Sequence, residues 1–308
     1  MKTTNFDDPI FTDETAAREA LEAIRWPNGP VCVHCGSTGA VRRIEGQKKT
    51  HRAGLLYCND CKGQFTVTVG TVFERSKIPL NKWWLATFLL CSSKKGISSH
   101  QLHRTLGVTY KTAWFMTHRI RHAMAENGGG LMGSGGGTVE ADETYIGRKP
   151  GMKKGRGGYQ HKEAVVALVE RNGKVRSRHI GKVTGENLKQ VLKANVSPDA
   201  HLMTDDASLY DKIGAEFASH DSIAHSRKQY VRGNVHTNTI EGSFSILKRG
   251  LIGVYQHCHS DHLHRYLAEF DFRYNNRVKL GVDDSERTIR ALAGIEGKRL
   301  TYRRPDEA

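Results

Sequence analysis

The sequence has no long hydrophobic run, and this absence limits where the protein can reside. Its most apolar stretch, Trp83 to Cys91, is nine residues long and is interrupted by Thr87. A membrane-spanning helix needs about 20 apolar residues, so this stretch is too short to span a bilayer. The first residues, Met1 to Phe11, include two aspartates and no apolar core. We therefore expect no secretory signal and a cytoplasmic protein without a membrane partner.

Acidic residues are fewer than basic residues. The chain has 32 Asp and Glu residues against 47 Lys and Arg, which gives a formal net charge of +15 and a pI near 9.6. This excess favours a polyanionic partner, although charge alone is compatible with both nucleic acid and an anionic membrane surface. At 308 residues, the chain is longer than a typical domain of about 100–200 residues, so we expect two or three units.

Cysteine is scarce, and four of the six cysteines form two Cys-x-x-Cys pairs. Cys32 and Cys35 form the first pair and Cys58 and Cys61 the second, with 22 residues between the pairs. Two such turns can surround one Zn²⁺ with four thiolates and leave no open position, as in a structural site. We predict one structural zinc ion held by these four cysteines, with His34 as the alternative to one of them.

Periodicity and composition divide the chain into six segments. Seven of the eleven residues from 127 to 137 are glycine, which predicts a flexible linker and a domain boundary. Before it, Ser98–Leu106 and Tyr110–Ala125 have helical spacing around Gly107, which is typical of a helix-turn-helix. The predicted segments are an N-terminal helical segment (1–29), a zinc ribbon (30–76), a helix-turn-helix region (77–126), the linker (127–137), a mixed α/β domain (138–280) and a C-terminal tail (281–308).

The segment after the linker mixes strand and helix patterns. Three predicted strands follow one another closely, and a helix, a strand and two further helices come next. Their bounds are Thr138–Tyr145, Ala164–Glu170, Val175–Ile180, Thr184–Asn195, His201–Thr204, Thr239–Lys248 and Asp261–Asn275. The order βββ-α-β-α is that of the ribonuclease-H-like fold, a mixed sheet with helices on its faces. The predicted fold class is thus mixed α/β and multidomain.

Three acidic residues fall where such a fold can open a site. Asp142 lies in the first predicted strand, Asp205 directly follows a later one, and Glu241 lies on a predicted helix, with 35 residues between it and Asp205. Transfer of a phosphodiester needs an activated oxygen nucleophile and a stabilised leaving oxygen, and two Mg²⁺ ions held by carboxylates can provide both. Lys248, seven residues after Glu241, shares its helical face and could contact a phosphate. Any one acid is most often surface charge, so the set of three carries the prediction.

Several motifs resemble the bacterial DDE insertion-sequence transposases, in the branch with an N-terminal zinc ribbon and a ribonuclease-H-like catalytic domain. The similarity covers nearly the whole chain. Its most specific pieces are Val139-Glu-Ala-Asp-Glu-Thr-Tyr-Ile-Gly147, Thr204-Asp205, His236-Thr-Asn-Thr-Ile-Glu241, Leu247-Lys-Arg-Gly250 and Tyr266-Leu-Ala-Glu-Phe-Asp-Phe-Arg-Tyr-Asn275.

This resemblance has consequences for mechanism and partners. It implies that Asp142, Asp205 and Glu241 bind the catalytic metal, two Mg²⁺ ions for which Mn²⁺ can substitute, with Lys248 beside them. The implied reaction is cleavage and strand transfer at the ends of an insertion sequence. The implied partner is double-stranded DNA, both element ends and target, bound by a homo-oligomer associated with the bacterial nucleoid.

The third acid is where the sequence departs from the family pattern. Gly242 and Ser243 directly follow Glu241, where relatives tend to carry a bulkier residue before the position of Phe244. Asn238 is a nearby polar residue that could ligate instead. Glu241 is therefore the predicted third ligand and Asn238 its rival.

Three further acids lie beside the predicted ligands. On a strand, Glu140 shares a face with Asp142, whereas Glu143 points to the other face. We expect Glu140 to support the ligands from behind. Asp206 begins a turn and is expected to cap it.

Two basic segments are candidate DNA contacts. In the helix-turn-helix, the second helix is expected to present Tyr110, Lys111, Thr112, His118, Arg119 and Arg121 to phosphates or base edges. The glycine-rich loop from Gly147 to Gly158 has no acidic residue and contributes Arg148, Lys149, Lys153, Lys154 and Arg156. An ordinary basic helical hairpin and a merely solvated loop are the alternatives.

Other clusters favour structural roles. The histidines from His257 to His264 are expected to face water or phosphate rather than a second metal, and Trp83 and Trp84 are expected to fill a core. Two alternative functions stay open: a ribonuclease-H-like nuclease or domesticated transposase that cuts without joining, and a zinc-ribbon DNA-binding regulator with an inert C-terminal domain.

Overall fold

The protein is described by a computed structural model that covers residues 6–44, 51–126, 128–149, 151–153 and 158–301. The chain divides into two compact units, one formed by Met1–Ala125 with Gly281–Ala308 and the other by Glu126–Leu280. The predicted mixed α/β, multidomain fold is confirmed. Within the described ranges, no helix combines the length and apolar character needed to cross a bilayer.

The first unit combines a small sheet with helices. Its antiparallel strands, in spatial order, are β1 (Val41–Arg43), β2 (Leu56–Cys58) and β3 (Gln64–Phe65). Its helices are α1 (Pro9–Thr12), α2 (Glu14–Arg25), α3 (Leu80–Ser92), α4 (Ser99–Leu106), α5 (Tyr110–Met124) and, last in the chain, α10 (Asp284–Ala293).

The N-terminal helical segment is interrupted once. Asp13 is extended and its side chain accepts a hydrogen bond from the backbone N–H of Ala16 at 2.7 Å, which is the geometry of a helix N-cap. The amphipathic face of α2 buries Ala17 and Leu21 completely. The predicted helix is therefore present, but it begins at the cap, and α1 precedes it as a separate turn.

The two helices of the predicted helix-turn-helix are confirmed. Gly107 ends α4 with a positive φ of 61°, a conformation that glycine adopts without steric cost. Thr109 then caps α5 by accepting from the N–H of Thr112 at 3.2 Å. The predicted turn lies between them.

Half of the residues predicted to contact DNA from α5 are buried, so the prediction is wrong for them. His118 and Arg121 are 0% and 1% exposed, and Arg119 is 8% exposed. The Arg119 side chain donates to the backbone carbonyls of Glu74 and Leu300. These side chains lie on the helix face that packs into the first unit and cannot reach a DNA surface. The remaining candidates are the exposed Tyr110 and Lys111 and the partly exposed Thr112.

The C-terminal segment differs from the predicted tail. It contains α10, whose Ala291 and Leu292 are each only 1% exposed, and this helix packs mainly on α3. Arg287 of α10 donates to the backbone carbonyl of Cys91 at 2.8 Å. The amphipathic pattern of α10 thus completes the core of the first unit.

The second unit is built around a five-stranded mixed sheet. Its strands are β4 (Thr138–Ile146), β5 (Glu163–Glu170), β6 (Val175–Ile180), β7 (His201–Asp205) and β8 (Ser219–Ile223), in the spatial order β6-β5-β4-β7-β8. The pairs among β6, β5 and β4 are antiparallel, and the pairs β4–β7 and β7–β8 are parallel. The helices are α6 (Gly185–Asn195), α7 (Asp211–Gly214), α8 (Asn238–Gly250) and α9 (Ser260–Asn275), with a 3₁₀ turn at His225–Arg227, another at Val278–Leu280 and a π-helical turn at Leu251–Tyr255.

Helices cover both faces of this sheet, as the resemblance implied. Alternate residues of β5 enter two separate cores, because side chains along a strand alternate between faces. Val166 and Leu168 pack with Leu188 and Leu192 of α6. On the other face, the core contains Val165, Ala167, Phe244, Leu267 and Phe270. The helix that carries Glu241 therefore lies on the second face.

The glycine-rich segment is not a free linker in its described part. Met132 is 3% exposed and belongs to the core with α6. Its N–H donates to the carbonyl of Asn195, and its own carbonyl accepts from the N–H of Ser197, both at 2.8 Å. The backbone N–H of Gly133 donates to Glu170 at 3.0 Å. One methionine therefore anchors a segment whose glycine content predicted flexibility.

An acidic residue of α9 forms hydrogen bonds with β6, a strand at the edge of the sheet. Asp271 is partly buried and accepts hydrogen bonds from the N–H of Ser177 at 2.6 Å and from its hydroxyl at 2.7 Å. Burial raises the pKa of Asp271 to about 7, although the two bonds from Ser177 act in the opposite direction. The folded state therefore binds this proton more tightly than the unfolded chain does.

The proton bound by Asp271 makes the free energy of unfolding depend on pH, and the raised pKa fixes the sign of this dependence. Because the folded pKa is raised, the contribution of Asp271 is complete below its unfolded pKa of about 4 and is lost as the pH rises toward 7. We expect the unfolding free energy of the wild type, relative to Asp271→Asn, to fall by at most about 1.4 kcal/mol per pH unit in this window. Urea unfolding followed by circular dichroism measures it, with Asp261→Asn on the same helix as control. An equal slope in wild type and Asp271→Asn would contradict the assignment.

Candidate active site and zinc site

The four cysteines of the two pairs meet in the first unit. Their Sγ atoms all lie within 4.8 Å of one another, with 3.6 Å between Cys32 and Cys61 and 3.7 Å between Cys35 and Cys58. Thiolates at the usual Zn–S distance of about 2.3 Å stand roughly 3.8 Å apart at the corners of a tetrahedron. The cluster therefore has the ligand set and spacing of a structural zinc site, as predicted.

Backbone geometry holds the pairs in place and leaves His34 outside the cluster. A Cβ on Gly63 would lie 2.8 Å from the His34 ring and 3.2 Å from the Sγ of Cys61, so the close approach of these groups requires glycine. The Nε2 of His34 lies 3.3 Å from the carbonyl of Gln64. The four cysteines, without His34, thus form the metal-ligating group.

Strand register brings the first two predicted acids together. β4 and β7 are parallel, with Glu140 opposite Met203. Continued by two residues along each strand, this register brings Asp142 opposite Asp205 on one face of the sheet, and the charge of Asp205 does act on Asp142. Asp142 accepts from the N–H of Glu143 at 2.7 Å. Because the side-chain period of a strand is two, a shift of one residue would separate the pair.

The electrostatics of Asp142 show that all three acids share one neighbourhood. Burial, together with the negative charges of Glu143, Asp205 and Glu241, raises its pKa to about 7. Among the described residues, only the cysteines bring three or more ligand atoms within 4.8 Å of one another. The acids therefore form an open group that interacts through space, without direct contact of all three.

The third acid is held in the first turn of α8. The Oε1 atom of Glu241 accepts from the hydroxyl of Thr237 at 3.1 Å and lies 3.3 Å from the Nε2 of His225. The side chain of Glu241 is 47% exposed. Glu241 is thus oriented by neighbours while one side of its carboxylate faces solvent.

Glu140 fixes the start of this same helix. It is fully buried and accepts from the N–H groups of Thr239 and Ile240 at 2.9 and 3.0 Å, and from the Thr239 hydroxyl at 2.8 Å. It also pairs with Arg171 at 2.8 Å, while His236 lies 3.3 Å away. A negative charge at a helix N-terminus is favourable. Glu140 therefore links β4, which carries Asp142, to the helix that carries Glu241.

Replacing Glu140 by Gln is expected to lower the stability of the second unit by roughly 3 kcal/mol, because Arg171 would lose its charged partner in a buried site. Hydrogen exchange of the amides at the start of α8 and urea unfolding measure the effect. Glu163→Gln is the matched control, since Glu163 is also buried but contacts a single histidine, His179, at 2.9 Å. Equal losses in the two variants would show that Glu140 is not the link between β4 and α8.

Glu143 lies on the other face, as the strand pattern predicted. Burial, together with the charge of Asp205, raises its pKa to about 7. Burial, together with the charges of Glu143 and Asp142, places the pKa of the fully buried Tyr210 well above its usual value. Glu143 therefore adds negative charge beside Asp205 without sharing the face of Asp142.

The two remaining predicted residues of the site lie along α8. Lys248 is exposed in the last turn of the helix, two turns beyond Glu241, and Asn238 is exposed at the helix start. A Cβ on Gly242 would meet nothing within 4 Å, so the bulkier residue of the family pattern would also fit at this position. Both Glu241 and Asn238 stay accessible.

Several residues of this region carry no motif that would reveal them. His225 and Ser226 form a 3₁₀ turn after β8, and Ser226 donates to Asp206 at 2.5 Å. This hydrogen bond lowers the pKa of Asp206. Asp206 was predicted to cap the turn that it begins. Its hydrogen-bond partner is Ser226, in the 3₁₀ turn after β8. β8 itself was missed, because Ser219–Ile223 has one apolar residue and no alternating pattern.

The other predicted clusters have structural roles where they are described. Trp83 and Trp84 are buried, and their ring N–H groups donate to Ser76 and to the carbonyl of Ala17.

Among the described residues, the tract from His257 to His264 forms no metal cluster, and His259 caps α9. In the basic loop, Arg148 and Lys149 donate to backbone carbonyls and Lys153 is exposed, whereas Lys154 and Arg156 lie outside the described residues.

A four-cysteine ribbon joined to a mixed α/β unit with grouped carboxylates defines the class of zinc-ribbon transposases. Residues 12–64 match the transposase zinc-ribbon domain, and residues 135–275 match the ISXO2-like transposase domain. The chain is also 30% identical over 282 residues to the "Uncharacterized protein in transposable element ISH50" of Halobacterium salinarum, an alignment that covers 85% of this chain and 91% of that protein.

The chain belongs to the family of ISXO2-like transposases. The resemblance seen in the sequence is confirmed, and so is the zinc ribbon. The two matched domains indicate a transposase that acts on DNA.

Proposed function

We propose that the protein is a DDE transposase that uses Mg²⁺ to cleave DNA at the ends of an insertion sequence and to join those ends to a target. The observation that carries the proposal is that Asp205 and Glu241 both lie close enough to act electrostatically on Asp142, whose pKa is raised to about 7 by burial together with the charges of Glu143, Asp205 and Glu241. Such perturbed carboxylates are typical of functional sites.

The donor set fits a hard divalent cation. Asp142, Asp205 and Glu241 offer carboxylate oxygens, which Mg²⁺ prefers, and Mn²⁺ accepts the same ligands. A cation would offset the repulsion among these acids, which gives the grouping a physical reason. Two metal ions bound there would supply an activated water or 3′-hydroxyl and charge stabilisation at the leaving oxygen.

The chain's own residues position these groups. The parallel register of β4 and β7 sets Asp142 beside Asp205, and Glu140 holds the start of the helix that carries Glu241. Lys248, exposed two turns further along α8, is proposed to contact a phosphate of the bound strand. Asn238 is the rival for the third ligand position.

Double-stranded DNA, both the element ends and the target, is the proposed partner. The net charge of +15 favours it, and exposed residues such as Tyr110, Lys111 and Lys153 could contact its backbone. A homo-oligomer is proposed because two element ends must be held together during joining. We propose that it acts on the DNA of the nucleoid.

A direct assay tests the proposal. Labelled duplexes that carry each end of the element are incubated with the full chain, Mg²⁺ or Mn²⁺, and target DNA. We expect strand cleavage at the end and covalent joining to the target. Cleavage without joining would favour the nuclease alternative, and binding without cleavage would favour the regulator.

A further inference from the structure

Two residues of the 3₁₀ turn His225–Arg227 contact the elements that carry the second and third acids. After β8, Ser226 donates from its hydroxyl to Oδ2 of Asp206 at 2.5 Å, and Asp206 directly follows Asp205. The preceding residue, His225, points the other way and reaches the start of α8. Adjacent side chains thus contact the end of β7 and the helix of Glu241.

The contacts of His225 select one oxygen of Glu241. Its Nε2 lies 3.0 Å from the hydroxyl oxygen of Thr237 and 3.3 Å from Oε1 of Glu241, and that hydroxyl donates to the same Oε1 at 3.1 Å. With the proton on Nε2, the imidazole donates to Thr237, which donates to Glu241. Among the described residues, Oε2 of Glu241 accepts no hydrogen bond.

An exposed glutamate would otherwise sample many rotamers. The side chain of Glu241 is 47% exposed and that of His225 only 27%, so the imidazole is the better ordered partner. The ring centroid of Tyr230 lies 5.5 Å from that of His225. These contacts restrict the imidazole of His225, which in turn restricts the carboxylate of Glu241.

We propose that the His225–Ser226 turn is a positioning element that presets Glu241 and the Asp205–Asp206 strand end for divalent metal. His225 acts through Thr237 and Oε1, which would leave Oε2 available to a divalent cation. Ser226 holds the other acidic segment through its hydrogen bond to Asp206. This inference rests on the proposed metal-dependent function and adds to it two residues that touch neither metal nor DNA in this role.

The test measures metal binding directly, with Mn²⁺ as the probe and the zinc-loaded full chain. Electron paramagnetic resonance of free Mn²⁺ gives the dissociation constant for wild type, His225→Ala, His225→Gln and Ser226→Ala. We expect His225→Ala to weaken binding roughly tenfold or more, as is usual when a residue supporting a metal ligand is lost. His225→Gln should restore most of the affinity, because its amide can donate to Thr237. Ser226→Ala, at an exposed position, should show a smaller loss while folding normally.

The matched control is His179→Ala. His179 also pairs with a glutamate, at 2.9 Å, and its side chain is 25% exposed, but it lies on β6 away from the three acids. We expect its Mn²⁺ affinity to equal that of the wild type. Circular dichroism and zinc content establish that each variant is folded.

Three outcomes would overturn the proposal: unchanged affinity in both His225→Ala and Ser226→Ala, an equal loss in His179→Ala, or nitrogen coupling to bound Mn²⁺ in spin-echo spectra. The last would make His225 a direct ligand. Failure of the proposed function looks different, because the wild type would then show no Mn²⁺ binding that Asp142→Asn removes.

Discussion

Asp142→Asn is expected to reduce cleavage and joining of element ends by roughly a thousandfold or more. The amide has nearly the shape of the carboxylate but lacks its charge, so a cation at the reacting phosphate would lose a charged ligand where transition-state charge is stabilised. Gel analysis of labelled DNA ends under single-turnover conditions measures the loss. Asp205→Asn should behave alike, because register places it beside Asp142.

Zinc content and DNA affinity should survive these substitutions. The cysteines lie in the first unit and the acids in the second, and DNA affinity is spread over many basic residues. Asp199→Asn, an exposed position of the second unit, is the matched control and should keep full activity. If Asp142→Asn and Asp205→Asn both remain active, the proposed mechanism fails.

The third ligand can be decided with a pair of variants. Glu241→Gln should lose activity to a similar extent, whereas Asn238→Ala should retain most of it. The reverse result would make Asn238 the ligand. Both side chains are exposed at the start of α8, so neither substitution disturbs the core.

The second large effect is expected at the zinc site. Cys58→Ser removes one of four thiolates from a site whose ligand atoms all lie within 4.8 Å. Structural zinc contributes on the order of 10 kcal/mol in small domains, so loss of a ligand should unfold the ribbon. We expect zinc content to fall well below one ion per chain and DNA binding to fall with it. Elemental analysis and a mobility-shift assay measure these effects.

Cys258→Ser is the control for thiol chemistry. Cys258 lies outside the cluster and donates weakly to the carbonyl of His259, so this variant should retain zinc. If Cys58→Ser keeps full zinc occupancy and a folded ribbon, the claim that the four-cysteine zinc site stabilises the first unit is wrong.

Local patterns predicted much of the fold, because they depend on spacing along the chain. The cysteine pairs specified the zinc ligands, and helical periodicity on either side of Gly107 located α4 and α5. The strand pattern around Asp142 correctly separated Glu140 from Glu143. These features depend only on residues that are close together in the sequence.

Other predictions failed because they depend on what a residue packs against. The amphipathic pattern of α5 assigned His118, Arg119 and Arg121 to DNA, but tertiary packing buries them. Glycine content predicted a free linker, but Met132 anchors the segment in the core of the second unit. The tail proved to contain α10, whose buried face is complete only against helices far away in sequence.

The sequence by itself determined the kinds of chemistry available: four thiolates at zinc spacing, a basic surface, and acids at the ends of strands and on a helix. Only the tertiary structure decided which groups meet. Asp142 and Asp205 become neighbours through the parallel register of β4 and β7, and Glu140 reaches α8 across 99 residues of sequence. His225 and Ser226 follow β8, whose pairing with β7 at the sheet edge brings Ser226 to Asp206. Such long-range contacts depend on the packing of whole elements, which local spacing does not encode.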